Sequence, residues 1–506
     1  MLSSEPGCPT TTRPRPHARR RGAESAAPTV AIVGGGFSGI MVAAHLLREA
    51  RARASAVRVV VVEKSAGFEA GPAYRTCSPR HLLNVPAGRM SALPDDAGHF
   101  VRWLEQRGVS GAAATFVPRS FYREYLRAIL DEARAAADQS TLEWIAEEAL
   151  DADEVPGGAG LRVHLSGGAV LDASSVVLAV GNLPPANPPI GEENFYDSPY
   201  YVRDPWRGLP LEVEPDDPVL LIGTGLTMLD YALALDEQGH RGSIIAVSRR
   251  GLVPECHRPI TTDPARTAEQ HARIESWLQA AGVDRERSAR GLVRAVRAVV
   301  MHAGEQGIDW RDVVGAIRGR TAALWQACTP VERARFLRHV RPYWEVARHR
   351  AAPAAAERFA VLRSSGRLTI VAAQLKQFLE DQWGVSVVLR ARGSGQRMVV
   401  RAAKVINCTG PETRIERADH PLLRALVERR MVRPDPIGLG VETLEGGVAV
   451  CGDGEPCARL LVVGALNRGR LWESTAIEEL RVQASATAAR LAGRLLSPAR
   501  RAAVAA

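Results

Sequence analysis

The sequence predicts an α/β fold with two nested strand–turn–helix domains, and three observations support this. Residues 29–47 ("TVAIVGGGFSGIMVAAHLL") read as an apolar strand, a glycine-rich turn and an apolar helix. The arrangement recurs at residues 218–235 ("PVLLIGTGLTMLDYALAL"). Strand-like segments return only at about residue 366, beyond a mostly helical block at about residues 264–360. We therefore expect the second domain to be inserted in the first.

Composition is consistent with a soluble enzyme-sized protein. The chain has 506 residues, of which 46% are hydrophobic, so two or three domains with sizeable cores are expected. Its longest apolar runs are too short to span a membrane. About half of the net charge of +9 lies in the two tails, which carry +3 over residues 1–27 and +2 over residues 497–506. The basic balance therefore gives little reason to expect nucleic-acid binding.

The seven cysteines contain no C-x-x-C pair. Neither a metal site nor a disulfide framework is indicated, and the pattern fits a reducing cytoplasmic location.

The first glycine-rich turn has the spacing of a dinucleotide-binding fingerprint, Gly34-x-Gly36-x-x-Gly39. The first glycine permits the tight turn, the second lets backbone approach a pyrophosphate, and the third lets helix and strand pack closely. Backbone N–H groups at the helix start, around Phe37 and Ser38, would face the phosphates. The next strand ends at Glu63-Lys64, and an acid there can accept hydrogen bonds from an adenosine ribose.

The second turn predicts a second nucleotide site. Gly223 and Gly225 are followed by Thr227 in the first turn of the helix, whereas Met228 replaces the usual third glycine. We therefore expect the helix to pack slightly further from its strand.

The strand after this turn ends in Ser248-Arg249-Arg250 and lacks the acid typical of NADH enzymes. A hydroxyl group and guanidinium groups would bind a 2′-phosphate, whereas a carboxylate would repel it. This favours NADPH as the second nucleotide, although arginines that merely solvate a loop would give the same pattern.

Two similar strands, "VVLAVGNLPP" and "VINCTGPE", end at Gly181 and Gly410 and are expected to lead into and out of the second domain. Here the chain resembles two-dinucleotide-binding flavoproteins, in which FAD occupies the first domain. The resemblance implies the following divisions: disordered basic tail 1–27, FAD-binding domain 28–200 and 396–496, NADPH-binding domain 201–395, and disordered tail 497–506.

A closer resemblance rests on "AGPAYRTCSPRHLLNVPAGRMSALPDDAGHFVRWL". The segment is similar to the bacterial FAD/NAD(P)-binding oxidoreductase family, which includes nitrosuccinate-forming amino-acid N-monooxygenases. "IGTGLTMLD" and "SRRGLVPECHR" are also similar to that family. The resemblance covers most of residues 29–480 and does not fix a substrate. Its matching residues in the first segment are Gly71, Ala73, Tyr74, Thr76, His81 to Pro86, Met90, Ser91, His99, Phe100, Trp103 and Leu104.

The same segment follows the ribose-binding strand and is rich in proline and small apolar residues, so it is suited to form a rigid, dry wall at the isoalloxazine ring. Asn84 and His81 are the candidate catalytic residues, as donors to a flavin oxygen or a flavin peroxide, with Val85 beside the cofactor. For His81, a buried histidine bonded to backbone is an equal alternative. Arg75, Arg80 and Arg89 are candidates to hold an acidic substrate, although solvation explains them as well.

A C-terminal segment is the last candidate site. A strand reaches Gly464, a polar turn carries Asn467, and a helix is expected to begin near Glu473. The resembling flavoproteins place such a segment near the flavin, where a helix N-terminus would stabilise negative charge.

The favoured function is an FAD- and NADPH-dependent monooxygenase acting through a flavin peroxide on a small molecule, with N-hydroxylation of an amine or amino acid as one form. A flavin reductase or dehydrogenase without oxygen insertion is the first alternative. A non-catalytic FAD- or NAD(P)-binding protein is the second.

Overall fold

The computed structural model describes residues 27–76, 78–190, 193–207, 212–258 and 264–496. Nearly all of the first tail and all of the second, both predicted to be disordered, lie outside these ranges. No helix in the described part is long and apolar enough to cross a membrane.

Sixteen strands and fourteen α-helices make up the described fold. The strands are β1 (Thr29–Val33), β2 (Arg58–Val62), β3 (Thr141–Ile145), β4 (Ala149–Glu154), β5 (Leu161–Leu165), β6 (Val170–Ala173), β7 (Ser175–Leu178), β8 (Tyr201–Val202), β9 (Val219–Ile222), β10 (Ile244–Ser248), β11 (Leu368–Asp381), β12 (Gly384–Ala391), β13 (Arg397–Ala402), β14 (Lys404–Asn407), β15 (Val448–Val450) and β16 (Pro456–Val462). The helices are α1 (Phe37–Ala52), α2 (His99–Glu105), α3 (Arg119–Ala135), α4 (Leu226–Glu237), α5 (Pro264–Ala280), α6 (Ala289–Glu305), α7 (Trp310–Ile317), α8 (Thr321–Ala327), α9 (Pro330–His339), α10 (Arg341–Arg348), α11 (Pro353–Ser364), α12 (Pro421–Glu428), α13 (Arg468–Leu471) and α14 (Ile477–Leu495).

The first domain is built on a six-stranded sheet of order β15-β16-β7-β1-β2-β3. All of its pairings are parallel except that of β15 with β16. Strand β1 is buried almost throughout because helices α1, α3 and α14 cover one face, and this burial explains its continuous apolar sequence. A three-stranded antiparallel sheet, β4-β5-β6, packs with α12 against the other face.

The second domain carries a seven-stranded sheet of order β13-β12-β11-β10-β9-β14-β8. Because its strands fall between β7 and β15 in the chain, the second domain is inserted in the first, and the predicted α/β architecture is confirmed. The expected return to the first domain at residue 396 is too early, since β13 and β14 still belong to the second sheet. The hairpin β12–β13 extends that sheet by antiparallel pairing. Strand propensity alone does not show to which of the two domains this hairpin belongs.

The block predicted to be helical contains α5 to α11, and α11 leads directly into β11. We call α5 to α10 the helical cap. The stretch at residues 99–137 is two helices, α2 and α3, with a short 3₁₀ turn between them. The last helix begins at Ile477, four residues later than expected, because residues 473–476 continue the turn that follows Gly464.

Candidate functional site

The first glycine turn has the geometry of a phosphate cradle. Gly34 has φ +110°, and a Cβ there would lie 2.3 Å from the carbonyl oxygen of Ala179. A Cβ at Gly39 would lie 2.0 Å from the oxygen of Gly34, so helix α1 approaches the turn as closely as only glycine permits. At Gly36 the nearest atom to a Cβ would be Ala70 O at 3.9 Å, which leaves the space that a pyrophosphate needs.

Phe37 and Ser38 open helix α1 immediately after this turn, and both side chains are buried. The helix has no acidic residue in its first turn, so its positive end is left for an anion. These features fit the pyrophosphate of FAD.

Glu63 is tied to the same turn. Its Oε2 accepts a hydrogen bond from the backbone N–H of Gly35 at 2.7 Å, and its Oε1 accepts from the N–H and hydroxyl of Ser65, both at 3.1 Å. The Trp144 ring lies against Gly35, where a Cβ would be 2.5 Å from Cη2. A carboxylate held this way is oriented beside the cradle, where a ribose would need an acceptor. Lys64 instead pairs with Glu148 at 3.5 Å.

The predicted flavin wall meets the second domain at Asn84. Its backbone carbonyl oxygen accepts a hydrogen bond from Nε2 of His257 at 2.9 Å, and the His257 ring lies 5.3 Å from the ring of Phe116. The side-chain amide of Asn84 is half-buried and makes no hydrogen bond within the described residues. Val85 is half-buried beside it and packs against the core of the first domain. The amide is thus available to a ligand.

His81 lies at a different contact between the domains. It is 1% exposed, its Nε2 bonds the carbonyl oxygen of Asp230 at 3.1 Å, and its Nδ1 bonds the hydroxyl of Thr76. Asp230 also accepts from Arg119 at 2.8 Å. Both ring nitrogens of His81 are therefore engaged within the protein, and the alternative of a buried histidine satisfied by backbone describes it better than a flavin donor does.

The C-terminal segment returns to the start of α1. A Cβ at Gly464 (φ +87°) would lie 2.9 Å from Ser38 Oγ. The Gly464 carbonyl accepts from Ser474 Oγ at 2.7 Å, and the buried Asn467 accepts from Thr443 at 2.5 Å. The chain thus brings Ser38, Gly464 and Asn467 to one end of the first sheet. The N-terminus of α14, however, carries Glu478 and Glu479 in its first turn, so its positive end is already matched by acids within the protein.

In the second domain, Gly223 has φ +113° and a Cβ there would lie 2.3 Å from Cys408 O, whereas Gly225 faces open space. Thr224 locks this turn to the end of β10, since its hydroxyl donates to Ser248 Oγ at 2.8 Å. Thr227 lies half-buried in the first turn of α4, and the side chains of Arg249 and Arg250 line a surface pocket beside Ser248.

Gly181 and Gly410, at the two connections between the domains, both have positive φ and space around the missing side chain.

A cluster of cationic and imidazole side chains lies where the flavin wall meets the helical cap, and we call Arg89, His257, Arg348 and Arg350 the cationic cluster. Burial lowers the pKa of the Arg89 guanidinium, although half of its side-chain surface is exposed. Burial, reinforced by neighbouring arginines, lowers the pKa of His257 to about 4 and that of His349 to about 3. Both histidines are therefore neutral at pH 7.

Ion pairs hold the cap to the first domain around this cluster. Arg348 of α10 pairs with the buried Glu473 at 3.1 Å, and Arg318, between α7 and α8, pairs with Glu478 and Glu479. Arg89 pairs with Glu478 at 2.9 Å within the first domain. Two further arginines have no carboxylate within 4 Å in the described chain. Arg350 bonds only the carbonyl oxygens of Ala347 and Arg311, while the Nε of Arg468 is buried without a partner. Burial lowers the pKa of each to about 10.

Sequence reasoning missed several of these residues. His257 stands in the segment "SRRGLVPECHR", where no spacing to another polar residue distinguishes it. Trp144, Thr224 and Arg348 carry no motif signal, because their roles depend on contacts across the sheet or between domains. Arg75 and Arg80, considered for an acidic substrate, pair with Glu69 at 3.3 Å and Asp236 at 3.4 Å respectively.

Comparisons with known proteins agree with this geometry. Residues 31–183 match the sequence model of a family described as FAD-NAD(P)-binding. The chain is 29% identical over 338 residues to the L-aspartate N-monooxygenase (nitrosuccinate-forming) of Streptomyces davaonensis; the match covers 52% of this chain and 51% of the relative. The match therefore spans about half the length of the curated relative.

Solved structures extend the likeness to the whole fold. The reduced form of ornithine hydroxylase from Pseudomonas aeruginosa has a TM-score of 0.62 at 17% identity, covering 93% of this chain and 100% of that one. L-lysine 6-monooxygenase from Pseudomonas syringae gives 0.59 at 15% identity with the same coverage. Ornithine N-hydroxylase from Kutzneria sp. 744, in a structure described with reduced FAD, NADP⁺ and L-ornithine, gives 0.59 at 13% identity, again with 93% and 100% covered. Residues 31–183 therefore resemble the FAD-NAD(P)-binding family, and the chain as a whole has a two-domain fold similar to that of these hydroxylases.

Proposed function

We propose that the protein is an FAD-dependent, NADPH-using monooxygenase that adds one oxygen atom to the amino nitrogen of a small molecule. The observation that carries the proposal is the contact between Asn84 and His257, which joins the wall of the FAD domain to the segment that follows the coenzyme-binding turn. Bound FAD supplies hydride acceptance from NADPH and activation of molecular oxygen. What the chain supplies is binding, orientation and the exclusion of water.

Holding FAD falls to the cradle and its surroundings. Gly34, Gly36 and Gly39 leave room for the pyrophosphate at the N-terminus of α1, and Glu63 would accept from the ribose. Ser38, Gly464 and Asn467 lie where the rest of the cofactor would follow.

Asn84 is the candidate catalytic residue. Its carboxamide carries both a donor and an acceptor and makes no hydrogen bond inside the described protein. Leu83, Pro86 and Ala87 around it are buried, so they give the reacting centre a rigid apolar wall that excludes water.

The cationic cluster and the neighbouring Arg468 favour a substrate that carries carboxylate. Arg350 and Arg468 are desolvated cations without an acidic partner, an arrangement that costs free energy until an anion binds. The curated relative acts on L-aspartate, an amino acid with two carboxylates. Acidic amino acids are therefore the first substrates to test.

The decisive experiment reduces the FAD-loaded protein with NADPH without oxygen and then mixes it with oxygen and L-aspartate. A product whose nitrogen carries an oxygen atom from ¹⁸O₂ supports the proposal. Rapid NADPH turnover with an artificial electron acceptor and no label in any product selects a reductase. Bound FAD that NADPH cannot reduce selects a non-catalytic binding protein.

A further inference from the structure

A pocket of about 460 Å³ at the edge of the second domain is surrounded by guanidinium groups. Arg249 and Arg250 follow strand β10, and Arg390 and Arg392 lie at the end of strand β12. We call these four residues the arginine pocket. Arg390 and Arg392 lie about 140 residues further along the chain than Arg249 and Arg250.

None of the four has a carboxylate within 4 Å in the described chain, and the Nε of Arg250 is buried without a partner. Arg397, opposite Arg390 on β13, also has no carboxylate within 4 Å in the described chain. Arg401, at the other end of β13, pairs with Asp381 in the usual way for an exposed arginine. Like charges around one pocket repel each other, so the absence of acids is a cost that a bound polyanion would remove.

Sheet register places the pocket beside Ser248. Strand β10 pairs with β11 so that Ser248 is opposite Ala372, and the N–H of Arg392 donates to the carbonyl oxygen of Ala372 at 2.9 Å. Arg390 is opposite Gln374 on the adjacent strand pair. The hairpin therefore carries its two arginines to the end of the strand where the coenzyme's adenosine ribose is expected.

The helical cap contributes one more polar group. The ring of Tyr343, on α10, has its centroid 5.7 Å from Cζ of Arg250. Hydrogen bonds from the guanidinium groups of Arg250 and Arg392 lower the pKa of the Tyr343 hydroxyl. Since the phenol oxygen accepts from both arginines, its own hydrogen remains available to a third group.

We infer that Arg390 and Arg392 complete, with Arg250, a clamp for the 2′-phosphate of NADPH, and that Tyr343 donates the closing hydrogen bond from the helical cap. The inference rests on NADPH as the coenzyme of the proposed function. It adds Arg390, Arg392 and Tyr343 to the residues at the end of strand β10. Arginine pairs bind phosphate oxygens by charge-assisted, often bidentate hydrogen bonds, which Lys or a single arginine provides less well.

The test is binding rather than turnover. Calorimetry on the FAD-loaded protein would give the dissociation constants of NADP⁺ and NAD⁺ for the wild type, Arg392→Ala, Arg390→Ala and Tyr343→Phe. Arg294→Ala is the matched control, because Arg294 is an exposed arginine of α6 far from this pocket in the chain and changes the net charge equally. Arg392→Lys keeps the positive charge but removes the planar guanidinium group. It therefore distinguishes the effect of the charge from the effect of bidentate hydrogen bonding.

Arg392→Ala and Arg390→Ala should each weaken NADP⁺ by about tenfold or more and NAD⁺ by less than about twofold. Tyr343→Phe should weaken NADP⁺ by roughly threefold or more, Arg392→Lys should fall between wild type and Arg392→Ala, and Arg294→Ala should change neither nucleotide. Inorganic phosphate should compete with NADP⁺ but not with NAD⁺.

Unchanged NADP⁺ affinity in the two hairpin variants would overturn the clamp. Equal weakening of both nucleotides, or competition of phosphate with both, would assign the pocket to the shared pyrophosphate and also overturn it. Because the test measures only binding, its result does not depend on the proposed monooxygenase activity. The clamp hypothesis can be correct in a protein that forms no oxygenated product, and it can be wrong in an active monooxygenase.

Discussion

The Nε2–H of His257 donates to the backbone carbonyl oxygen of Asn84 across 2.9 Å. Burial, with Arg350 and Arg89 nearby, lowers the pKa of His257 to about 4. The imidazole therefore stays neutral at pH 7. The contact holds the Asn84 loop by its backbone, while the side-chain amide makes no hydrogen bond within the described chain.

Replacing Asn84 should separate coenzyme oxidation from product formation. Asn84→Leu keeps the approximate size and the carbonyl that His257 needs, but it removes the side-chain donor and acceptor. We expect NADPH to reduce the flavin at nearly the wild-type rate while product per NADPH falls about tenfold or more. Paired measurements of NADPH consumption and product check this, and an unchanged ratio would give Asn84 a structural role only.

Glu63 should control FAD retention. Glu63→Gln removes the charge from the oxygen that accepts the Gly35 N–H at 2.7 Å, and Glu63→Lys also places a cation beside the ribose. We expect about tenfold weaker FAD binding for Gln and no retained FAD for Lys, with the fold largely preserved.

The flavin-to-protein absorbance ratio after dialysis measures this effect. Glu143→Gln is the control, because Glu143 on the neighbouring strand β3 pairs with Arg58 at 2.7 Å outside the cradle. Stoichiometric FAD in Glu63→Lys would refute the assignment.

His81 should matter for stability more than for chemistry. His81→Leu removes the buried bond to Asp230, which ties the two domains together, and the bond to Thr76 within the first domain. A loss of about 2–3 kcal/mol in unfolding free energy is expected, with the product-to-NADPH ratio retained. Denaturant unfolding and the same coupling assay test it together; normal stability with lost coupling would restore His81 as a catalytic candidate.

His45 should make the protein sensitive to mild acid. It lies on α1, is 8% exposed, and burial followed by the charge of Arg48 lowers its pKa to about 4. Between pH 6.5 and 4 the unfolded chain binds a proton at His45 that the folded chain does not. Above pH 6.5 the titration of His45 therefore does not reduce the free energy of unfolding. As the pH falls below 6.5 this free energy decreases, by about 2 kcal/mol at pH 5.

His45→Leu should reduce that loss. The measurement is the difference in unfolding free energy between pH 7.5 and pH 5, compared for wild type and variant. If both lose the same amount on acidification, His45 does not contribute to the acid sensitivity.

The parts of this protein that could be predicted from sequence are those set by local backbone constraints. Gly34 and Gly39 stand where a Cβ would collide with a carbonyl oxygen, so their spacing alone identifies the turn. Glu63 follows because the end of β2 must lie beside that turn in a parallel sheet.

The residues that sequence reasoning missed depend on contacts between distant segments. His257 contacts Asn84 from the other domain. Arg392 is brought near Ser248 only by the register of two strand pairs, β10 with β11 and β11 with β12. The boundary expected at 396 failed for a similar reason, since a hairpin can extend either sheet until its partner strand is known. His81 shows that a residue type common in active sites can also be used to hold domains together.

The position of β16 has a consequence for synthesis of the chain. Strand β7 pairs with β16, which the ribosome makes only after the whole second domain, and at rates of 5–20 residues per second that interval is on the order of tens of seconds. During it, the apolar edge of β7 has no neighbour on one side and can template pairing with other chains. The nascent first domain is therefore exposed to misassembly until the last tenth of the polypeptide emerges, and a chain cut short before Pro456 would keep that edge open permanently.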